Sequence, residues 1–193
     1  MYRHCTTEKT AAQQKLFEQT LLEAARHQPY TSISVSQLCE LSGLSRKTFY
    51  RLFENKEDVL IALIDHTIMD YVNFTGPSDF IGRTIINEPI NLFAYWRCHK
   101  SLLDILNETN KMILLLDRTV EHILHEHREV RQHFSVDQEA YAEDVLQFYF
   151  SGIMSLVIRW YQSGFARSEN EMAELLNQLL YTPAVKRAKY IVK

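Results

Sequence analysis

The stretch SGLSRKTFYRLFENKE, residues 42–57, decides how this chain is organised. It contains four cations within eleven residues: Arg46, Lys47, Arg51 and Lys56. Because Ser45 and Asn55 are suited to cap helices beginning at 46 and 56, three of these cations would stand at helix N-termini. A cation there opposes the helix dipole by about 0.3–1 kcal/mol, so stability does not explain the pattern. Free backbone N–H groups beside cations favour an anion-binding surface instead.

Two short helices are predicted here, over 34–42 and 45–52, with Gly43 in the turn between them. Residues 34–37, S-V-S-Q, have the capping-box form. On the second helix Phe49 and Phe53 share one side, whereas the opposite side carries Lys47, Tyr50, Arg51 and Glu54. A cationic face with a tyrosine, opposite an apolar face, is what a recognition helix in a DNA major groove requires. The alternative is a solvated charged face on an ordinary helix.

The distribution of charged residues along the chain also favours an anion-binding surface in this stretch. The whole chain carries a net charge of -3, but residues 45–56 contain four cations and one acid, a net charge of +3. A basic patch on an acidic body favours a local nucleic-acid contact. Tyr50 and Lys56 are predicted to contact phosphates, and the other three cations to reach base edges or phosphates.

The rest of the 193 residues predicts helices, because only five Gly and four Pro interrupt the chain. We expect an all-α protein of about nine helices. Outside the two already described, they lie over about 9–27, 56–73, 88–98, 99–108, 111–128, 138–163 and the region after a capping box at 168–171. Residues 74–88 are predicted as a connector, and the tail after Pro183 as loose.

The segment 145–161 is apolar nearly all round, which predicts a helix buried on every side. In a chain of this size, one flank can enter its own core and the other needs a partner. Ser151, Gly152 and Ser155 form a stripe of small residues that would let another helix approach closely. The last helix carries apolar residues at helical spacing, Met172, Leu175, Leu176, Leu179 and Leu180.

Residues 9–60 resemble the DNA-binding module of the TetR family of bacterial repressors. The resemblance rests on S-G-L-S, T-F-Y, L-F and N-K-E in the run 35–60. It implies that Ser34 and Ser45 are helix caps that touch phosphate and that Thr48, Tyr50 and Lys56 contact the DNA backbone. It also implies that Arg46 and Lys47 help to set sequence choice. Cys39 and Ser42 stand where the family usually has Ala.

The run 150–176, with G-x7-W-x3-G at 152–164, resembles C-terminal regions of this family more weakly. The resemblance implies a DNA-binding domain at 1–58 and a helical domain for dimerisation and ligand sensing at 59–193. It implies a four-helix dimer interface, to which we assign Phe150, Ile153, Val157, Trp160, Leu175 and Leu179. It also implies an inducer pocket, for which the candidates are Phe93, Trp96, Tyr149 and Met154.

The function that follows is a homodimeric repressor that binds a palindromic double-stranded operator and is released by a small-molecule inducer. The alternative is a DNA-bound adaptor or coactivator whose C-terminal domain is controlled by a partner protein. A cavity in that domain would favour the first, and a filled core with an exposed apolar groove the second.

The sequence gives little support to other classes of protein, such as secreted, membrane, metal-binding or catalytic proteins. Cys5, Cys39 and Cys98 are odd in number and widely spaced, which predicts reduced thiols. We find no signal peptide and no apolar run long enough to span a membrane, so a cytoplasmic protein is expected. The histidines of HILHEHRE, 122–129, favour a polar helix end over a metal site. No phosphate loop or catalytic motif is found, so we expect no enzyme and no cofactor.

Overall fold

The computed structural model describes Tyr2 and residues 7–75, 88–126 and 141–181, and within these ranges every regular element is a helix. The α-helices are α1 (Glu8–Ala25), α2 (Val35–Ser42), α3 (Arg46–Leu52), α4 (Lys56–Thr75), α5 (Pro89–Cys98), α6 (Lys100–Glu108), α7 (Met112–Glu126), α8 (Ala142–Gln162) and α9 (Glu169–Tyr181). A 3-10 turn at Tyr30–Ser32 precedes α2. The predicted all-α class and the expected number of helices are confirmed for the described part of the chain. Most of the predicted connector and the predicted tail lie outside it.

Local capping explains where the N-terminal helices begin and end. The Ser34 hydroxyl accepts from the backbone N–H of Gln37 at 3.2 Å, and the Gln37 side chain accepts from the Ser34 N–H at 3.0 Å. Gly43 ends α2 with φ of +68°, a left-handed conformation that glycine adopts without strain. The Ser45 hydroxyl then accepts from the N–H of Thr48 at 3.1 Å and starts α3.

An aromatic cluster holds α1 against the helix-turn-helix unit. The ring of Phe17 on α1 meets Phe49 edge-on at a centroid distance of 5.2 Å and Phe53 at 6.0 Å. All three side chains are buried. Edge-to-face pairs add about 0.5–1.5 kcal/mol to the burial of their surface. The cluster therefore fixes the apolar side of α3 and leaves its other side to solvent.

Helix α4 connects the two halves of the molecule. It is continuous from Lys56, so the predicted domain boundary at 58/59 falls within its first turn. Its buried face, which includes Leu60, Ile64 and Ile68, packs on α1 and α7. In the C-terminal half α7 packs on α8, and α5 packs on α9. The Trp160 indole N–H donates to the Arg167 carbonyl at 2.8 Å, which closes the turn between α8 and α9.

A buried polar cluster ties α4 to α7. The carboxylate of Asp65 on α4 is 0% exposed and accepts from Arg118 Nε on α7 at 2.6 Å and from the Tyr2 hydroxyl at 2.8 Å. His122 Nε2, one turn further along α7, lies 3.2 Å from the same carboxylate. Burial alone would raise the pKa of Asp65, but hydrogen bonds from His122, Arg118 and Tyr2 hold this pKa below its usual value.

Candidate nucleic-acid interface

The solvent side of α3 carries the side chains that the sequence assigned to it. Arg46, Lys47, Tyr50 and Arg51 are all exposed, and the Tyr50 side chain is 56% exposed although its ring meets Phe49 at 5.4 Å. A large aromatic side chain held out of the core in this way is available to a phosphate or a base. The helix therefore has the two-sided character of a recognition helix.

The cations of this face are not neutralised. Among the described residues no carboxylate forms an ion pair with Arg46, Lys47 or Arg51. Elsewhere cations are commonly matched to acids, as in the pairs Lys15–Asp70, Arg26–Glu23, Arg97–Glu169, Lys100–Asp104, Lys111–Glu57 and Arg118–Asp65. An unmatched cationic surface attracts an anion from outside the molecule, as the phosphates of DNA would supply.

Two of these cations have neutral partners on neighbouring helices. An Nη nitrogen of Arg46 donates to the hydroxyl of Ser36, near the start of α2. Arg51 Nη2 donates to the side-chain carbonyl of Gln13 on α1 at 2.6 Å. Both arginines therefore keep their full positive charge while the direction of the side chain is restricted. Lys47 has no such contact with the described residues.

Lys56 lies in a different environment from the one expected of a phosphate contact. Its Nζ donates to the carbonyls of Tyr30 and Ile33, each at 2.6 Å, and stands 4.1 Å from the centroid of the Tyr30 ring. Burial lowers the pKa of this ammonium. Two of its three donors are thus occupied inside the protein, where they tie the start of α4 to the chain entering α2. A role in DNA binding stays a prediction for the remaining donor.

Two of the three predicted hydroxyl contacts, Ser34 and Ser45, are helix caps. Ser34 and Ser45 are exposed and cap α2 and α3, and Thr48 is half-buried with its hydroxyl 3.0 Å from the Ser45 hydroxyl. Their cap geometry follows the prediction. Each cap lies where the first N–H groups of a helix face solvent, so a phosphate could approach there. Phosphate contact by these residues stays a prediction.

A small apolar cavity lies between α4, α5, α7 and α8. Its volume is about 30 Å³, and the lining side chains include Ile68, Tyr71, Leu92, Trp96, Ile153 and Met154. Of the four predicted pocket residues, Trp96 and Met154 line it. Phe93 instead packs edge-on against Trp160 at 5.5 Å, and Tyr149 points to the exposed side of α8, so neither lines this cavity. Pockets for small ligands usually measure about 300–1,000 Å³, so this cavity is too small for such a ligand.

The predicted dimer residues divide into two groups. Phe150, Ile153, Val157 and Trp160 are buried within the protomer, so their side chains have little surface left for a partner. These four side chains lie on the side of α8 that faces α5 and α7, and their contact with a second subunit stays a prediction. Leu175 is half-buried and Leu179 is 43% exposed, so both remain accessible on α9.

The outer side of α8 carries the accessible surface instead. Phe148 is 75% exposed, and Gly152, Ser155 and Arg159 follow it at helical spacing, all exposed. A groove of about 350 Å³ between α8 and α9, lined in part by Leu156, Met172 and Leu175, continues this surface. The small and apolar side chains of this surface, which Arg159 borders on α8, suit packing against a second pair of helices.

Sequence reasoning missed the residues that support the site. Gln13 and Ser36 contact the arginines of α3, and Asp65 ties α4 to α7, but the sequence singled out none of these three side chains. Only Asp65 gave a signal, since a carboxylate among the apolar residues of the α4 core face needs a buried partner. The partners of Gln13 and Ser36 lie 38 and 10 residues away along the chain, which local pattern does not reveal.

Comparisons with known proteins agree with this geometry. A family model described as "Bacterial regulatory proteins, tetR family" matches residues 20–63, and one described as "Transcriptional regulator C-terminal region" matches residues 89–182. The chain is also similar to the HTH-type dhaKLM operon transcriptional activator DhaS of Lactococcus lactis subsp. lactis (strain IL1403). The two are 26% identical over 114 residues, which is 59% of this chain and 55% of that relative, so the match spans about half of the relative's length.

A solved structure, described as dihydroxyacetone kinase operon activator DhaS, has a similar fold. It superposes with a TM-score of 0.58 at 18% identity, over 86% of this chain and 93% of that chain. No described helix is long and apolar enough to cross a membrane. With one family model matching the helix-turn-helix region and the other the C-terminal helices, this chain belongs to the TetR family and is a DNA-binding regulator of transcription.

Proposed function

We propose that the regulator binds double-stranded DNA as a homodimer, with α3 of each subunit in the major groove of one half of a palindromic operator. The observation that carries this proposal is the exposed cationic face of α3, which no acid of the described residues neutralises and which the buried Phe17, Phe49 and Phe53 hold in place. Two-fold symmetry of the protein would be mirrored in the DNA, with half-sites about one helical turn or a multiple of it apart. Such a regulator acts in the cytoplasm, where bacterial DNA lies.

The test begins with selection of duplexes from a randomised library by the wild-type protein. We expect enrichment of a palindromic sequence. Binding of the selected duplex, followed by fluorescence anisotropy, should weaken steeply as salt rises. Lys47→Ala and Tyr50→Ala should each weaken it by about 1–3 kcal/mol, roughly 5- to 150-fold. Gln19→Ala, an exposed change on α1 away from this face, is the control. Equal binding by all four proteins would contradict the proposal.

We propose that the dimer forms through the outer sides of α8 and α9. Exposed Phe148, Gly152 and Ser155 on α8 and Leu179 on α9 supply a surface of small and apolar residues on two adjacent helices. Four helices, two from each subunit, would bury this surface, and the cost of exposing large apolar side chains to water favours that arrangement. Phe148→Ser and Leu179→Glu should each weaken dimerisation in analytical ultracentrifugation.

For control of DNA binding, the first candidate is release of a repressor by a small molecule that enters the cavity between α4, α5, α7 and α8. This cavity is apolar, so an apolar effector fits its chemistry. A volume of about 30 Å³ equals the space of one or two water molecules, so an effector of drug size would have to open the cavity. A thermal-shift screen of compounds, repeated with the cavity-blocking variant Met154→Trp, tests this candidate.

The second candidate is control by a partner protein, and the small volume of the cavity between α4, α5, α7 and α8 favours it. The relatives discussed above are named as operon activators, which fits a regulator that recruits rather than blocks. A reporter gene placed behind the selected operator separates the two candidates. Lower expression in the presence of the protein supports a repressor, whereas higher expression supports an activator.

A further inference from the structure

The exposed face of α3 is held at both edges by its neighbours. The helical period of about 100° per residue places Arg51 roughly 140° around the helix from Arg46. Tyr50 and Lys47 fall between them, at roughly 40° and 100°. Arg46 at one edge contacts Ser36 of α2, and Arg51 at the other edge contacts Gln13 of α1. The tethered arginines therefore flank a centre that makes no polar contact with the described residues.

This order matters because a helix in the major groove has a floor of base edges and two walls of phosphates. The centre of its exposed arc faces the floor, and the two edges face the walls. A side chain tethered at an edge is directed toward a wall. An untethered side chain at the centre can extend to the floor.

Building on the proposed DNA contact of α3, we propose that Ser36 and Gln13 are positioning residues that hold Arg46 and Arg51 as two phosphate clamps. Sequence choice then rests with Lys47 and Tyr50 at the centre. Arg46, which the sequence placed among the residues that set specificity, becomes a phosphate contact, whereas Tyr50, which the sequence placed among the phosphate contacts, becomes a base contact.

Neutral partners suit this role better than acidic ones. A carboxylate would cancel the charge that attracts the phosphate, whereas the hydroxyl of Ser36 and the amide carbonyl of Gln13 accept one hydrogen bond and leave the charge intact. An arginine has five N–H donors, so each clamp keeps donors for a phosphate oxygen. Restricting a long side chain before binding lowers the conformational entropy lost on binding, which amounts to several-fold in affinity per side chain.

A double-mutant cycle tests the proposal, with the duplex that the wild-type protein selects from a random library as the probe. Arg51→Ala should weaken binding and reduce the slope of log K against log salt by about one. Gln13→Ala should weaken binding about three- to tenfold with an unchanged slope. The double variant should bind as Arg51→Ala does, because the glutamine acts only through the arginine. The cycle Ser36→Ala with Arg46→Ala should behave in the same way.

Repeating the library selection with each variant separates the phosphate clamps from the residues that set sequence choice. We expect Arg46→Ala and Arg51→Ala to select the wild-type sequence and Lys47→Ala to select an altered one. Gln19→Ala is again the control, and thermal melting verifies that each variant is folded.

Three results would overturn the inference while leaving the proposed DNA contact standing. The first is unchanged DNA affinity in Gln13→Ala or Ser36→Ala. The second is a full loss of affinity from either change when its arginine is already alanine, and the third is an altered sequence preference in either arginine variant. By contrast, unchanged binding in both Arg46→Ala and Arg51→Ala, together with Lys47→Ala and Tyr50→Ala, overturns the proposed function itself.

Discussion

Replacing Arg118 with methionine removes the guanidinium from a fully buried carboxylate. The Arg118 side chain is 18% exposed and Asp65 is 0% exposed, so water does not replace the lost partner. Breaking a buried ion pair from one side typically costs about 3–5 kcal/mol. Because the Tyr2 hydroxyl and His122 still face Asp65, we expect the lower end, about 3 kcal/mol. For a chain of this length that lowers Tm by about 6–12 °C.

The measurement is thermal unfolding by circular dichroism at one fixed protomer concentration, since the proposed dimerisation would make Tm depend on concentration. The matched control is Arg26→Met, which breaks the exposed pair with Glu23, where the side chains are 61% and 60% exposed. An exposed pair of this kind contributes about 0.5 kcal/mol or less. The double variant Arg118→Met with Asp65→Asn should recover most of the stability, because it leaves no unpaired buried charge.

The pH dependence gives a second check on the same variant. In the wild type the pKa of Asp65 lies below its usual value, so its contribution to stability is present above about pH 4 and is lost as the pH falls through the folded-state pKa. Without the guanidinium, burial raises the pKa of Asp65, and protonation relieves the buried charge. The gap between wild type and variant should therefore narrow from about pH 7 to about pH 5. A loss no larger than that of Arg26→Met at neutral pH would refute this reasoning.

Three further predictions concern other parts of the molecule. His66 Nδ1 donates a hydrogen bond to the Glu18 carboxylate at 2.9 Å, and this bond raises the pKa of His66. The pair therefore stabilises the fold fully below about pH 6.5 and less as the pH rises through the folded-state pKa of His66. The Tm difference between wild type and His66→Gln should accordingly be larger at about pH 6 than at about pH 9. Gly43→Ala should cost about 1–2 kcal/mol in unfolding free energy, measured by urea denaturation, because φ of +68° is strained for any side chain. Leu179→Glu should shift the sedimenting species from dimer toward monomer at micromolar concentration, whereas Leu16→Glu, on exposed α1 surface, should not.

Short-range signals in the sequence predicted the elements of the fold well. The capping box at Ser34, the cap at Ser45 and the turn at Gly43 gave the bounds of α2 and α3, because each depends on contacts within about three or four residues. The period of the apolar residues predicted which side of α3 packs inward at Phe49. These signals do not depend on tertiary contacts, so they can be recognised in a single sequence.

Contacts between side chains far apart along the chain could not be predicted from these local signals. In the apolar segment that became α8, every side looked suited to burial, and only packing against α5 and α7 decided that Val157 faces inward while Phe148 faces solvent. The carbonyls of Tyr30 and Ile33 that bind the Lys56 ammonium could not be found from local pattern, because they lie 26 and 23 residues away along the chain.

The sequence by itself therefore determined the helices, the helix-turn-helix unit and the cationic face of α3. Only the tertiary structure decided the tethers of its arginines, the burial of α8 and the bond between Arg118 and Asp65, whose positions lie 53 residues apart. The physical reason is that helix caps and helical periodicity act over one or two turns. Burial and ion pairing depend instead on which helices come together in space.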